Sequence, residues 1–159
     1  MSPNDVLEEL AQIVMRETDR PDALQRVADL LKKSGAYRWV GLYDVDYLAQ
    51  VVSNVVWSGP GAPEYPVFPI TKGLTGAAIA RRETVNVGDV STDPRYLTAF
   101  GSTRSELIVP VFDAAGQSVA GTIDIESEKP NAFGEETRAL MERCALVIQP
   151  LWAAHGAAP

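Results

Sequence analysis

Thr122, Asp124 and Glu126 recur at every second position of a β-rich run, so they share one face of a strand, while Ile123 and Ile125 take the other. Glu106 opens the preceding β-rich run. If the two runs pair as a hairpin, three carboxylates converge near one end of a sheet. Like charges held that close are costly unless something cationic sits between them, and a ligand ammonium or another cation would serve. The plainer alternative is the solvated face of an edge strand, which alternates in the same way.

Two further constellations could take part. Trp39, Gly41 and Tyr43 fall on one face of an earlier strand, where a glycine between two aromatics leaves an open floor between walls for a small ligand. Ordinary core packing explains the same pattern. Lys72-Gly73-Leu74-Thr75-Gly76 precedes an Ala-rich helix. Its glycines permit close backbone approach and a helix N-terminus can take an anion, but the spacing is not that of a phosphate-binding loop and a structural turn accounts for it.

Other chemistries lack their residues. The one histidine, His155, lies in an Ala/Gly-rich tail, and the one cysteine, Cys144, falls on an apolar helical stripe. No intramolecular disulfide, cysteine-rich zinc site or histidine-based metal site follows, and the hydroxyls of residues 91–103 have no histidine to activate them. We therefore expect no catalytic residue, metal or cofactor. The formal charge of −7 and the isolated Lys32-Lys33 and Arg81-Arg82 doublets argue against nucleic acid. No apolar run is long enough to span a membrane, and Asp5, Glu8 and Glu9 stand where a signal peptide would be basic, so the chain reads as cytoplasmic.

The elements that must position these groups are legible from periodicity. The chain has 159 residues, a length suited to one domain with a real core. Helical spacing marks residues 3–18, with Ser2 or Asn4 as cap, and about 21–34, ended by Ser34-Gly35. Period two then marks strands at 38–44, 50–57, 67–70 and 84–87, with a short helix within 71–83. Strands at 106–112 and 118–126 flank a hairpin turn, and a last helix covers 134–149, where Pro150 ends or kinks it. This order is not regular β-α alternation. It predicts an α+β layer fold with a mostly antiparallel sheet.

Several segments resemble the GAF family of small-molecule sensor domains, and more narrowly the free methionine-(R)-sulfoxide reductases. They are Arg38-Trp39-Val40-Gly41-Leu42-Tyr43, Ile70 through Ala78, Ser102 through Val111, Gly121 through Ser127, and Asn131-Ala132-Phe133-Gly134-Glu135-Glu136. The resemblance implies a six-stranded antiparallel sheet with a ligand pocket on one face and the N- and C-terminal helices on the other, often at a dimer interface. It implies one domain over residues 1–152 (helical segment 3–34, sheet core 36–127, helix 134–149) and a disordered tail, 153–159. It also implies that Trp39 and Tyr43 line the pocket and that Glu106, Asp124 and Glu126 hold the ligand.

The departures concern the chemistry. Tyr65, Thr75 and Ala99 stand where the reductases carry cysteines, and Ala99 replaces the catalytic one. Sulfoxide reduction needs a thiolate and a second thiol to resolve the sulfenic acid. Glu126 stands where those enzymes usually have Asp. The expectation is a stand-alone, non-enzymatic sensor module for a small polar, amino-acid-like ligand, held by Trp39, Tyr43, Thr75, Glu106, Asp124 and Glu126 under a lid at 91–103. The alternatives are a divergent reductase using Cys144 with an external thiol, and a structural unit that dimerises through its terminal helices.

Overall fold

The computed structural model describes residues 1–97 and 101–153. Ala99, His155 and the expected tail beyond residue 153 lie outside the described residues, as does part of the expected lid.

Helix α1 (Pro3–Met15) starts on a reciprocal cap, in which Asp5 N–H donates to the Ser2 hydroxyl and Ser2 N–H donates to the Asp5 carboxylate. It ends at Met15, three residues before the apolar spacing suggested. Helix α2 (Arg20–Gly35) is stopped by Ala36 in the left-handed region, φ 52°, and not by Gly35. Gly35 serves contact instead, because a Cβ there would run into the Tyr37 ring. Next come β1 (Trp39–Asp46), β2 (Val51–Ser58), β3 (Val67–Pro69), α3 (Gly73–Arg81), β4 (Val85–Val87), β5 (Ser105–Phe112) and β6 (Val119–Ser127). Helix α4 (Glu135–Ile148) follows, and Pro150 opens a separate short helix, α5 (Pro150–Ala153).

The strands form one antiparallel sheet in the order β3-β2-β1-β6-β5-β4. Strand β6 is therefore interior, and the edge-strand reading of its acidic residues is overturned. Alternation along β1, β5 and β6 sorts two faces. One carries Val40, Leu42, Leu107, Val109, Ile123 and Ile125, packed against α1, α2 and α4 through Leu10, Leu24, Met141 and Ile148. The other carries Trp39, Tyr43 and Ile108 with the acidic residues, and is covered by α3 and its flanking loops.

The start of α2 and the short α5 are both fastened to β1. The Arg20 guanidinium donates twice to Asp44, at 3.2 and 2.6 Å, and its Nε donates to the Leu151 carbonyl at 2.6 Å. It lies 5.6 Å from the Trp152 ring, and the Trp152 indole donates to the Tyr43 carbonyl. The apolar stripes of α1 and α4 pack on the core through Val6, Leu10, Met141, Cys144 and Ile148, and leave Leu7, Ile13, Val14, Leu140 and Val147 partly covered. Met15 and Leu146 are what these helices leave broadly exposed of their large apolar side chains. Among the described residues no helix is long and apolar enough to cross a membrane.

Candidate functional site

Register builds the site. Strand β6 sits between β1 and β5, with Trp39 opposite Glu126, Gly41 opposite Asp124 and Tyr43 opposite Thr122. On the other side Glu106 stands opposite Glu126. The three carboxyl groups each offer an oxygen within 4.8 Å of the others. This is the one trio of His, Cys, Asp or Glu side chains among the described residues close enough to share a cation.

The trio is buried. Glu106, Asp124 and Glu126 are 5%, 4% and 0% exposed, so the expected convergence occurs away from bulk water. The Glu106 and Asp124 carboxyls interact side chain to side chain, which raises Glu106 and lowers Asp124. Burial raises Asp124 to about 7. Burial, reinforced by the neighbouring carboxylates, pushes Glu106 and Glu126 well above the usual carboxylate range. The same burial and the same negative charges raise the Tyr43 phenol. One oxygen on each carboxyl, Glu106 Oε2, Asp124 Oδ1 and Glu126 Oε2, finds no hydrogen-bond partner among the described residues, nor does the buried Thr122 hydroxyl. Buried polar atoms in native proteins are almost always paired, so unpaired ones grouped on one wall call for an occupant.

Tyr43 lines the cavity and Trp39 does not, and the floor between them is not open. The Trp39 indole folds over Gly41, where a Cβ would lie 2.2 Å from the ring. Glycine at 41 makes room for the indole and not for a ligand. Trp39 is fixed by its N–H to the Gly61 carbonyl, and its ring lies 6.5 Å from Tyr43, which meets Phe68 edge-on at 5.9 Å. The space left is a cavity of about 20 Å³ beside Tyr43, Thr75, Leu97, Glu106 and Asp124, with Tyr65 at its rim. Thr75, at the start of α3, lines it as expected. A ligand the size of an amino acid must displace Leu97 or Tyr65 to enter.

Two site residues went unread in the sequence. Thr103 Oγ1 donates to Glu126 Oε1 at 2.7 Å, and the Tyr96 hydroxyl also hydrogen-bonds Glu126. Both lie on the segment joining β4 to β5, which has no period to mark them. Cys144 is the other outcome. It is fully buried on α4, on the helix-packed face of the sheet, and burial pushes its thiol up to about 12. The structure does not bring it to the pocket.

A larger groove of about 740 Å³ lies between α4, the turn at 113–116 and Arg82–Thr84. On its wall Arg138 pairs with Glu142, to which Thr84 also donates. It contains no member of the carboxyl trio.

The family model described as the GAF domain matches residues 19–149. The structure of the free methionine-R-sulfoxide reductase from Neisseria meningitidis in complex with its substrate superimposes with a TM-score of 0.85 at 30% identity, covering 94% of this chain and 87% of that one. The free methionine-R-sulfoxide reductase of Saccharomyces cerevisiae is 29% identical over 112 residues, 69% of this chain, and the match spans 60% of the yeast protein. GAF domain-containing protein A of Dictyostelium discoideum is 26% identical over 131 residues, 82% of this chain and 80% of that protein.

Proposed function

The chain belongs to the GAF domain family, and from that premise we propose that it is a cytoplasmic small-molecule-binding sensor for an ammonium-bearing, amino-acid-like ligand. The observation that carries this reading is the trio of buried carboxyls with an unpaired oxygen apiece, walled by Tyr43. An ammonium has three donors and a positive charge, which suit three carboxyl oxygens facing one space. Thr75 supplies a hydroxyl on the opposite wall. The relatives support an amino-acid ligand, since the reductases they include act on free methionine sulfoxide.

The resemblance to reductases favours a second reading, in which the chain reduces a sulfoxide with help from an external thiol. Its requirement is a thiolate within reach of the ligand sulfur. Thr75 carries a hydroxyl where a thiol is needed, Cys144 is walled off behind the sheet, and Ala99 lies outside the described residues. These placements favour binding over turnover.

A thermal-shift panel of L-methionine-(R)-sulfoxide, methionine, other amino acids and polyamines tests the first reading. A true ligand at a hundredfold over its dissociation constant adds about 2.7 kcal/mol, and Asp124→Ala should abolish that shift while the protein stays folded. An unchanged shift in the variant removes the trio from the site. A coupled turnover assay, with Cys144→Ser beside it, decides the second. Homodimerisation through the terminal helices remains part of the proposal, and a monomer in light scattering would remove it.

A further inference from the structure

The buried trio poses a charge problem. Three carboxyls meet within 4.8 Å, each almost wholly buried. The groups that face them are, from β1, the Tyr43 phenol, from β6, the Thr122 hydroxyl, and from the segment before β5, the Tyr96 and Thr103 hydroxyls. Thr75 of α3 and Tyr65 complete the ionisable or polar side chains around the cavity. No lysine, arginine or histidine of the described residues stands among them. Three buried negative charges with no counter-ion of the chain's own cannot coexist, and the trio has only two ways to lose them: protons or a cation.

We infer that the trio is a proton–cation exchange site: the empty pocket holds protons where a ligand's positive group goes, and each cation that enters expels at least one proton to solvent. Carboxyl oxygens gathered within 4.8 Å of one another and shut off from water require that at least one of the three keeps its proton while no cation lies between them. Thr103 and Tyr96 each give Glu126 a hydrogen bond, so Glu126 is the member best prepared to carry charge when the cation arrives. The cavity of about 20 Å³ admits a group no larger than a small ammonium before Leu97 has to move. The consequence is a rule about ligand class and conditions. A compound must bring a full positive charge, a neutral isostere is rejected, and binding tightens as pH rises, because protons and ligand compete. This inference rests on the ammonium reading of the pocket and adds the proton to it.

The test is carbon-13 NMR of the Asp and Glu carboxyl groups of the whole chain between pH 4 and 9, with Asp124→Asn used only to assign its signal. The titration is run in sodium chloride, in methylammonium chloride of equal ionic strength, and with L-methionine-(R)-sulfoxide. Without either probe, at least one carboxyl of the trio should still hold its proton at pH 6. A probe that binds should move that titration to lower pH, and its affinity should rise up to tenfold per pH unit between 5 and 7. A trio fully ionised at pH 6 without a probe overturns the exchange, whatever binds. A probe that binds with pH-independent affinity overturns the exchange and leaves the ammonium pocket standing. A protonated trio that neither probe disturbs overturns both.

Discussion

The two faces of β6 are built from alternate residues of one strand, yet they solve burial in opposite ways. Ile123 and Ile125 sit among Leu10, Leu24, Met141 and Ile148 and ask nothing of their surroundings but close packing. Thr122, Asp124 and Glu126, equally buried, leave an oxygen unpaired on each side chain, and Asp124 lines a cavity. The first face holds the fold together. The second leaves buried polar atoms unpaired, which costs stability.

The largest way to break this contrast is to injure the packed face. Ile125→Ala removes apolar volume from a position with no exposed surface and should cost about 2–5 kcal/mol in urea unfolding, while the carboxyl trio keeps its titration. A loss well below that range would mean that the helix layer collapses onto the gap. Arg20→Ala should cost about 1–2 kcal/mol, because it strips a half-exposed Asp44 of its partner and the Leu151 carbonyl of its donor. The Arg20–Asp44 pair is what the trio lacks, a carboxylate supplied with its cation by the fold.

The same contrast has a sign in pH. Folded Asp124 titrates near 7, above its unfolded value of about 3.9. The folded state therefore holds that proton more tightly. Its contribution to stability is complete below about pH 4, is lost as pH rises toward 7, and stays lost above. Asp124→Asn has no proton to lose, so it should gain about 1–3 kcal/mol on wild type at pH 8 and no advantage at pH 4. Chemical denaturation at the two pH values measures this. Parallel profiles for variant and wild type would mean that the trio already holds a cation.

How much of this could be read from the residues alone depended on range. The i, i+2, i+4 spacing of Thr122, Asp124 and Glu126 fixed their common face, and the short turn after Phe112 placed Glu106 across from them, so the trio was legible. Whether that face met water was not, because alternation reports two faces and not what covers them; here α3 and its loops cover the second. The resemblance to a known family, and not periodicity, pointed to a pocket. The role of Gly41 was misread, since the spacing cannot show where the Trp39 ring turns. Arg20 falls between the two segments of helical spacing, 3–18 and 21–34, and its partners lie 24 and 131 residues away. Tyr96 and Thr103 sit in a stretch without period, where only the folded path brings them to Glu126.

Those two residues give the finest test of the contrast. Thr103→Val keeps the shape and removes the hydroxyl that donates to Glu126 Oε1, so it should cost about 1 kcal/mol of stability. Its informative readout is titration. The Thr103 hydrogen bond favours the charged form of Glu126 and opposes the upward push of burial. Without it, the Glu126 carboxyl should hold its proton to higher pH, and ammonium binding near neutrality should weaken several-fold while recovering at pH 8. If the hydroxyl mattered only for packing, affinity would fall equally at every pH. The smallest substitution therefore separates a carboxyl that is merely buried from one that the β4–β5 segment prepares for charge.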